Sequence, residues 1–394
     1  MLPLTAIRLA GRYVLPLTLW FSLGYLARYL LTWSGVAVSH GDHEQLRRVA
    51  AVLIFTLLIT VTLAVTIGML TEVQRLENES FAGALGRALF PFVVIYVAWG
   101  MYTDDVRAFT RVDVEHNLTS TTHGSVAGQA LNIGNLWIGL GATAVAWGLK
   151  FLLERRRDNT ALSVLLAYCE TAFNLFAVSS VLILVGDGGA WVTSRRVWPA
   201  GIEPHLALLG LAFSTLALPL VWLAMAAVAY GVGIEADDHR AALEGTRLQG
   251  FAVASEDYGT LTRVTTGQRE RWVPLVYATR FMLRVGAPAL GLFCLCYVAV
   301  DLAVAYGFRG ALHLIGPGHD PAAWKPILVP LEFARELVRT VLHVALLAAA
   351  VRLVRTVSDE SAAPEPDRVS ASAGGSAPRT RPGPRRRRAP RHAA

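Results

Sequence analysis

Long apolar runs without charged residues limit this chain to one structural class. Residues 49–70 and 204–234 contain no Asp, Glu, Lys or Arg, and neither do residues 117–149, whose apolar part begins near Leu131. A helix that crosses the hydrocarbon core of a bilayer needs about 20 mostly apolar residues. Only 16% of the 394 residues are charged, whereas soluble domains average about 25%. We therefore expect an all-α integral membrane protein.

Eight segments are long enough to cross a bilayer, four of them only if internal charges are accepted. The predicted spans are approximately residues 13–35, 49–70, 84–103, 131–153, 160–185, 205–230, 273–306 and 327–351. They form a transmembrane domain of residues 1–357, with a cytoplasmic loop at 235–272. Gly286, Pro288 and Gly291 predict a kink or a break in the seventh span. The eighth is the most polar, and a surface position for it would leave seven spans.

The distribution of Lys and Arg predicts the orientation. With the amino terminus in the cytoplasm, each outer loop contains two such residues, whereas inner segments reach four, five and more. This bias favours a multi-pass protein with both termini in the cytoplasm. Arg8 and Arg12 precede the first apolar run, but no small-residue cleavage site follows, so we expect an uncleaved first span. The 34 Arg against two Lys indicate a GC-rich bacterial genome, hence the plasma membrane.

The carboxyl-terminal tail, residues 358–394, is rich in Ala, Ser, Pro and Gly and is predicted to be disordered. Its eight Arg and four acidic residues give four of the seven net positive charges. We expect Arg385, Arg386, Arg387 and Arg388 to bind anionic lipids of the inner leaflet. Nucleic acid is not an expected partner, because neither aromatic residues nor a folded nucleic-acid-binding motif accompanies the arginines of the tail.

Ionisable side chains inside the predicted spans are the main candidates for function, because burying them in lipid is costly. The candidate network comprises Arg28, Glu170, Asn174, Arg280, Arg284, Asp301, Glu332, Arg335, Glu336, Arg339 and His343. Its five members in the last span share one helical face. From their expected depths, Glu170 should pair with Arg280 or Arg284, and Arg28 with Asp301 or Glu332. The network is either a salt-bridge seam between helices or a hydrated path with protonatable Glu332, Glu336 and His343.

Histidines and carboxylates also combine in the predicted outer loops. His40, His43 and Glu44 lie close together in the first loop, and His116 lies in the long loop of residues 104–130. Imidazole and carboxylate are ligands for zinc and other divalent metals. The spacing matches no zinc signature, so a metal site and an external pH sensor are both hypotheses. No cofactor is predicted.

Sequence motifs assign no enzymatic activity. The chain contains no phosphate-binding loop, no dinucleotide fingerprint, no nucleophile elbow and no zinc-protease helix. We therefore expect a small-solute or proton-linked transporter that uses the charges within the membrane. One alternative is a non-catalytic membrane component that binds lipid or another membrane protein. A second is a membrane-embedded, lipid-modifying enzyme, for which Tyr102, Asp104 and Asp105 are the candidate residues.

Overall fold

The computed structural model describes residues 2–39, 44–74, 81–119, 136–154, 160–194, 203–230, 286–316, 318 and 320–362. Most of these residues lie in helices, and none of them lies in a strand. The helices are α1 (Leu2–Ser39), α2 (Glu44–Val73), α3 (Phe81–Ala98), α4 (Met101–Thr119), α5 (Leu136–Glu154), α6 (Thr160–Thr193), α7 (Glu203–Ala229), α8 (Ala287–Ile315) and α9 (Pro321–Ala362).

Several helices are long and apolar enough to cross a membrane. Five candidate spans lie in the described residues: Leu2–Ser39, Val49–Val73, Leu165–Trp191, Pro288–Ile315 and Pro326–Val354. The bent pair α3–α4 adds a sixth if it counts as one span, and α5 and α7 contain shorter apolar stretches. The described chain is therefore a helical bundle with five or six candidate spans, as expected of a multi-pass membrane protein. The count of eight stays a prediction.

Large apolar side chains cover the outer surface of the bundle. On α1, the side chains of Leu15 and Leu19 are 79% and 70% exposed, and on α8 that of Leu295 is 68% exposed. Soluble proteins rarely expose contiguous apolar surface of this kind. Contact with lipid chains explains why these helices are apolar on their outer faces.

Small residues allow the helices to approach closely. The α1–α2 contact has Gly24 beside Val65 and Gly68 beside Trp20, so close that a Cβ on either glycine would lie within 3.0 Å of the facing side chain. Helices in membranes associate largely through such small residues. Helix α9 packs against α1, α2, α7 and α8. More than half of the most apolar stretch of this helix is buried. This central position favours a membrane crossing over the surface position considered for the last span.

One end of the bundle is tightly packed; we refer to it as the Val73 end. Residues 223–230 of α7 and the turn after it, and residues 344–351 of α9, are all buried. The Tyr230 hydroxyl donates to the Leu70 carbonyl at 2.8 Å, and Arg352 donates to the Val73 carbonyl at 3.1 Å. Carbonyls in the last turn of a helix have no partner within the helix, and cationic side chains satisfy them well. These bonds fix the end of α2 against α7 and α9.

The third predicted span is bent instead of straight. Helix α3 ends at Ala98, and α4 starts at Met101 at 67° to it. Gly100, at the bend, has a φ of +78°, a conformation that glycine adopts without the strain other residues incur. Residues 104–119, predicted as loop, are therefore helical. The loop prediction was wrong there because it relied on the absence of an apolar run.

The described residues include only the second part of the predicted seventh span, from Gly286 onward. Helix α8 starts at Ala287 after Gly286, whose φ is +97°. Residues 231–285, with the predicted cytoplasmic loop, Arg280 and Arg284, lie outside the described residues. So does the tail from residue 363, including Arg385, Arg386, Arg387 and Arg388. Helix α9 continues to Ala362 and so includes the first five residues of the predicted tail, residues 358–362.

Candidate functional site

An ion pair joins α8 to α9 at the centre of two candidate spans. The Arg339 Nε donates to Asp301 Oδ1 at 2.7 Å, and His343 Nε2 lies 3.6 Å from the same oxygen. Asp301 lies near the middle of the span Pro288–Ile315, and Arg339 near the middle of Pro326–Val354. These ionisable groups therefore lie where a bilayer disfavours them most. We name Asp301, Glu336, Arg339 and His343 the Asp301 cluster.

Glu336 lies between two arginines of its own helix. Arg335 donates to Glu336 Oε1 from Nε at 3.1 Å and from Nη2 at 2.8 Å. On the other side, Arg339 Nη1 is 3.8 Å from Glu336 Oε2. The Arg335 guanidinium also lies 4.8 Å from the centre of the Phe308 ring, a cation–π arrangement. Glu332, predicted on the same helical face, is exposed and takes part in none of these contacts.

His343 is held by an aromatic ring. Its imidazole stacks on Tyr297, with ring centroids 4.0 Å apart and planes 8° apart. The His343 side chain is 12% exposed, and its buried Nε2 has no hydrogen-bond partner among the described residues. The distance from Nε2 to Asp301 is longer than a normal hydrogen bond.

A cavity of about 210 Å³ borders the Asp301 cluster. Its wall is formed by five helices and consists of Thr66, Met69, Leu70, Met101, Trp222, Tyr297, Glu336, Arg339, Thr340, His343, Val344 and Leu347. A carboxylate, a guanidinium and an imidazole thus face a space inside the bundle. Pockets for drug-sized ligands are larger, about 300–1,000 Å³. The volume therefore suits an ion, a few waters or a solute of few atoms.

A second polar cluster lies beside this cavity. Arg28 donates to Asp105 Oδ1 and, at 3.1 Å, to Thr62 Oγ1, while the Tyr96 hydroxyl donates to Asp105 Oδ2. The predicted pairing of Arg28 with Asp301 or Glu332 was wrong, because α4 supplies the carboxylate instead. Two cavity-lining residues are each one helical turn from this cluster: Thr66 from Thr62, and Met101 from Asp105.

Asp104 and Asp105 do not form a paired carboxylate site. Asp105 is engaged by Arg28 and Tyr96, whereas Asp104 points to the surface, where its side chain is 73% exposed and lies 3.2 Å from Arg107. General acid–base catalysis by two carboxylates requires both to reach one substrate. The arrangement gives no support to the candidate residues of the lipid-modifying enzyme.

Glu170 on α6 has a partner near the end of the predicted fourth span. Lys150 on α5 places its Nζ 3.9 Å from Glu170 Oε1, and both side chains are 15% exposed. Asn174 donates to the Glu170 backbone carbonyl at 2.8 Å and so does not extend the site towards the carboxylate. Arg280 and Arg284, the expected partners, lie outside the described residues.

The predicted metal ligands are described only in part. His40 and His43 lie outside the described residues, as does the side chain of Glu44, while His116 is exposed on α4. The part of the chain that the structure describes contains no group of three or more His, Cys, Asp and Glu residues able to hold a metal. The metal hypothesis for the first loop stays a prediction.

Sequence reasoning did not assign Tyr297, Tyr96 or Thr62 to either polar cluster. Tyr297 precedes Asp301 by one helical turn, a spacing that brings side chains together on a helix. This spacing could have identified Tyr297 as a neighbour of Asp301. Thr62 lies on a different helix from Arg28, and Tyr96 is separated from Asp105 by the bend at Gly100. No local pattern identifies them.

Comparisons with protein-family models, with curated proteins and with solved structures found no match for this chain. The contacts of the Asp301 cluster and the cavity beside it are therefore the basis for a functional assignment.

Proposed function

We propose that this protein is a small-solute or proton-linked transporter, and that its path includes the cavity beside the Asp301 cluster. The observation that supports this is the cavity itself, because Glu336, Arg339 and His343 all border it. Ionisable residues at this depth in membrane proteins commonly mark ion pathways and proton relays. Glu336 and His343 are groups of the type that carry protons in such relays.

The pairing of these charged groups and their contact with the cavity favour transport over a purely structural role. In a structural seam, each charge is expected to be paired and sealed from water. Here the Arg339–Asp301 pair is made, yet both Arg339 and Glu336 border a cavity. The buried Nε2 of His343 has no hydrogen-bond partner among the described residues. A group that changes partners during a transport cycle accounts for these features.

We further propose a topology of eight spans in the plasma membrane, with both termini in the cytoplasm. The supporting observations are the Lys and Arg bias of the loops and the apolar stretches Gly139–Leu153 and Thr215–Ala229, which would supply two additional crossings. The Arg-rich tail then lies beside the anionic inner leaflet. A green fluorescent protein fused to the carboxyl terminus should fluoresce, since it matures only in the cytoplasm; a dark fusion would contradict this orientation.

Proton flux in proteoliposomes tests the transport proposal. The purified chain is reconstituted with a pH-sensitive dye inside the vesicles, and a potassium-diffusion potential drives proton entry. We expect wild-type flux above that of empty vesicles, and a loss of at least about tenfold in Glu336→Gln, because a residue acting in proton transfer contributes about that much or more. Glu332→Gln is the matched control: it makes the same change one turn away, at an exposed position outside the cavity.

Each outcome of this experiment separates the candidates. Normal flux in Glu336→Gln removes Glu336 from the mechanism. An equal loss in Glu332→Gln shows that any charge change on α9 disturbs the protein. Wild-type flux no greater than that of empty vesicles excludes proton transport.

The second candidate is a non-catalytic membrane component that binds lipid or another membrane protein. It is favoured by one observation: ion pairs join different helices, α8 to α9 through Asp301 and Arg339, and α1 to α4 through Arg28 and Asp105. Under this hypothesis, neutralising Asp301 lowers stability, and the wild type supports no flux of protons or small solutes.

A further inference from the structure

A separate cavity lies between α8 and α9 at the end of the bundle opposite the Val73 end. Its volume is about 380 Å³, and its lining residues in the described part of the chain are Arg309, Leu312, His313, Trp324 and Leu328. Arg309 and His313 are one helical turn apart on α8, and Trp324 and Leu328 are one turn apart on α9. The two helices thus form the facing walls of a groove, which we name the hairpin groove.

The hairpin groove lies at the boundary of two candidate spans. Arg309 and His313 fall in the last two turns of the span Pro288–Ile315, and Trp324 lies just before the span that begins at Pro326. Tryptophan and cationic side chains are enriched at this level of a membrane, where headgroups meet hydrocarbon. A molecule bound in the groove would therefore contact both the headgroup region and the hydrocarbon region of the membrane.

The lining of the hairpin groove combines apolar walls with cationic groups. Leu312, Leu328 and Trp324 supply apolar surface, and neither Asp nor Glu is among the five lining residues. The Arg309 guanidinium lies 5.6 Å from the centre of the Tyr306 ring, which orients it by a cation–π contact. The chemistry fits a molecule with an anionic head and an apolar tail.

We propose that the hairpin groove binds one anionic phospholipid. Its phosphate contacts Arg309 and His313, and an acyl chain lies against Leu312 and Leu328. The volume falls in the range of about 300–1,000 Å³ typical of ligand pockets, unlike the cavity beside the Asp301 cluster. The proposal depends on insertion of α8 and α9 in a membrane and not on transport.

Binding of a short-chain fluorescent phosphatidylglycerol to the full-length protein in detergent tests this site. We expect saturable binding to wild type and an affinity at least about tenfold lower in Arg309→Gln/His313→Gln, because charge-assisted hydrogen bonds to the phosphate are lost. Leu312→Trp fills the groove without changing charge and should weaken binding as well. Arg111→Gln is the matched control, since Arg111 is an exposed arginine on α4 outside the groove.

Competition on the wild-type protein distinguishes a lipid site from an anion site. Unlabelled short-chain phosphatidylglycerol should displace the probe, whereas millimolar inorganic phosphate and the zwitterionic phosphatidylcholine should not. Displacement by inorganic phosphate alone would overturn the proposal. So would an equal loss of binding in Arg111→Gln, or unchanged binding in the double variant and in Leu312→Trp. Size-exclusion profiles test whether each variant is folded. If a variant is not folded, the competition experiment on the wild-type protein still tests the proposal.

Discussion

Arg28 on α1 and Asp105 on α4 form an ion pair across 77 positions of the chain. Arg28 also donates to Thr62 on α2, and the Tyr96 hydroxyl at the end of α3 donates to the second oxygen of Asp105. Asp105, whose side chain is only 11% exposed, is therefore bonded directly to α1 and α3, and through Arg28 the cluster extends to α2. Asp105 thus helps to hold the start of α4 against the first three helices.

We predict that Asp105→Ala lowers the free energy of unfolding by about 2 kcal/mol. Removing one partner of a buried ion pair costs about 3–5 kcal/mol, and the value here is smaller because the Arg28 side chain is 36% exposed. Unfolding by sodium dodecyl sulfate in mixed micelles measures the change. The adjacent Asp104→Asn is the control, since the Asp104–Arg107 pair is largely exposed and is expected to contribute less than about 1 kcal/mol. Equal losses in both variants would contradict the role given to Asp105.

The apolar helices were predictable from sequence because their signal is local. A run such as residues 49–70 is long enough to cross a bilayer and contains no charge, so length and composition alone predict an apolar helix at α2. Helix α4 lacks such a run and was predicted as loop. Its signal was different: Tyr102, Val106 and Phe109 repeat at helical spacing on one face, and Phe109 is buried. A search for amphipathic periodicity would have identified α4.

The partners of the buried charges were not predictable in the same way. Depth in the membrane limits which charges can meet, but it does not give the order of helices around the bundle. Arg28 and Asp301 were assigned similar depths, yet Arg28 contacts Asp105 and Asp301 contacts Arg339. The Asp301–Arg339 pair joins adjacent helices of a hairpin. Helical periodicity correctly placed Arg339 and His343 on one face of α9. Which carboxylate contacts that face, however, depends on how α8 packs against α9.

We predict that Asp301 and Arg339 are energetically coupled. A double-mutant cycle of Asp301→Asn and Arg339→Gln should give a coupling energy of about 1 kcal/mol or more, because the two side chains share a hydrogen bond of 2.7 Å and contacting residues typically couple by about 0.5–3 kcal/mol. Unfolding in mixed micelles supplies the four free energies. The control cycle pairs Glu332→Gln with Arg339→Gln; since Glu332 is exposed, we expect additivity. Coupling of equal size in both cycles would refute the specific pair.

We predict that Gly35→Ala destabilises the contact between α1 and α4. A Cβ at Gly35 would lie 2.6 Å from Cε2 of the buried Phe109 ring, so the ring or a helix must shift. Overpacking of this kind costs about 1–3 kcal/mol. The control is Gly11→Ala on the same helix, where no atom lies within 4 Å and where alanine should be neutral or stabilising by helix propensity. Phe109→Leu in the Gly35→Ala background should recover part of the loss; no recovery would show that Phe109 is not the cause.

We predict that Gly100→Ala destabilises the protein through backbone conformation alone. The φ of Gly100 is +78°, and no atom lies within 4 Å of the position that a Cβ would occupy, so steric contact with other residues makes no contribution. A left-handed conformation costs a residue with a Cβ about 1–2 kcal/mol, and asparagine tolerates it better than alanine. We therefore expect Gly100→Asn to lose less stability than Gly100→Ala. Gly86→Ala in α3 is the control, because Gly86 is helical and equally uncrowded. If Gly100→Ala were as stable as Gly86→Ala in mixed-micelle unfolding, the bend between α3 and α4 would not require glycine.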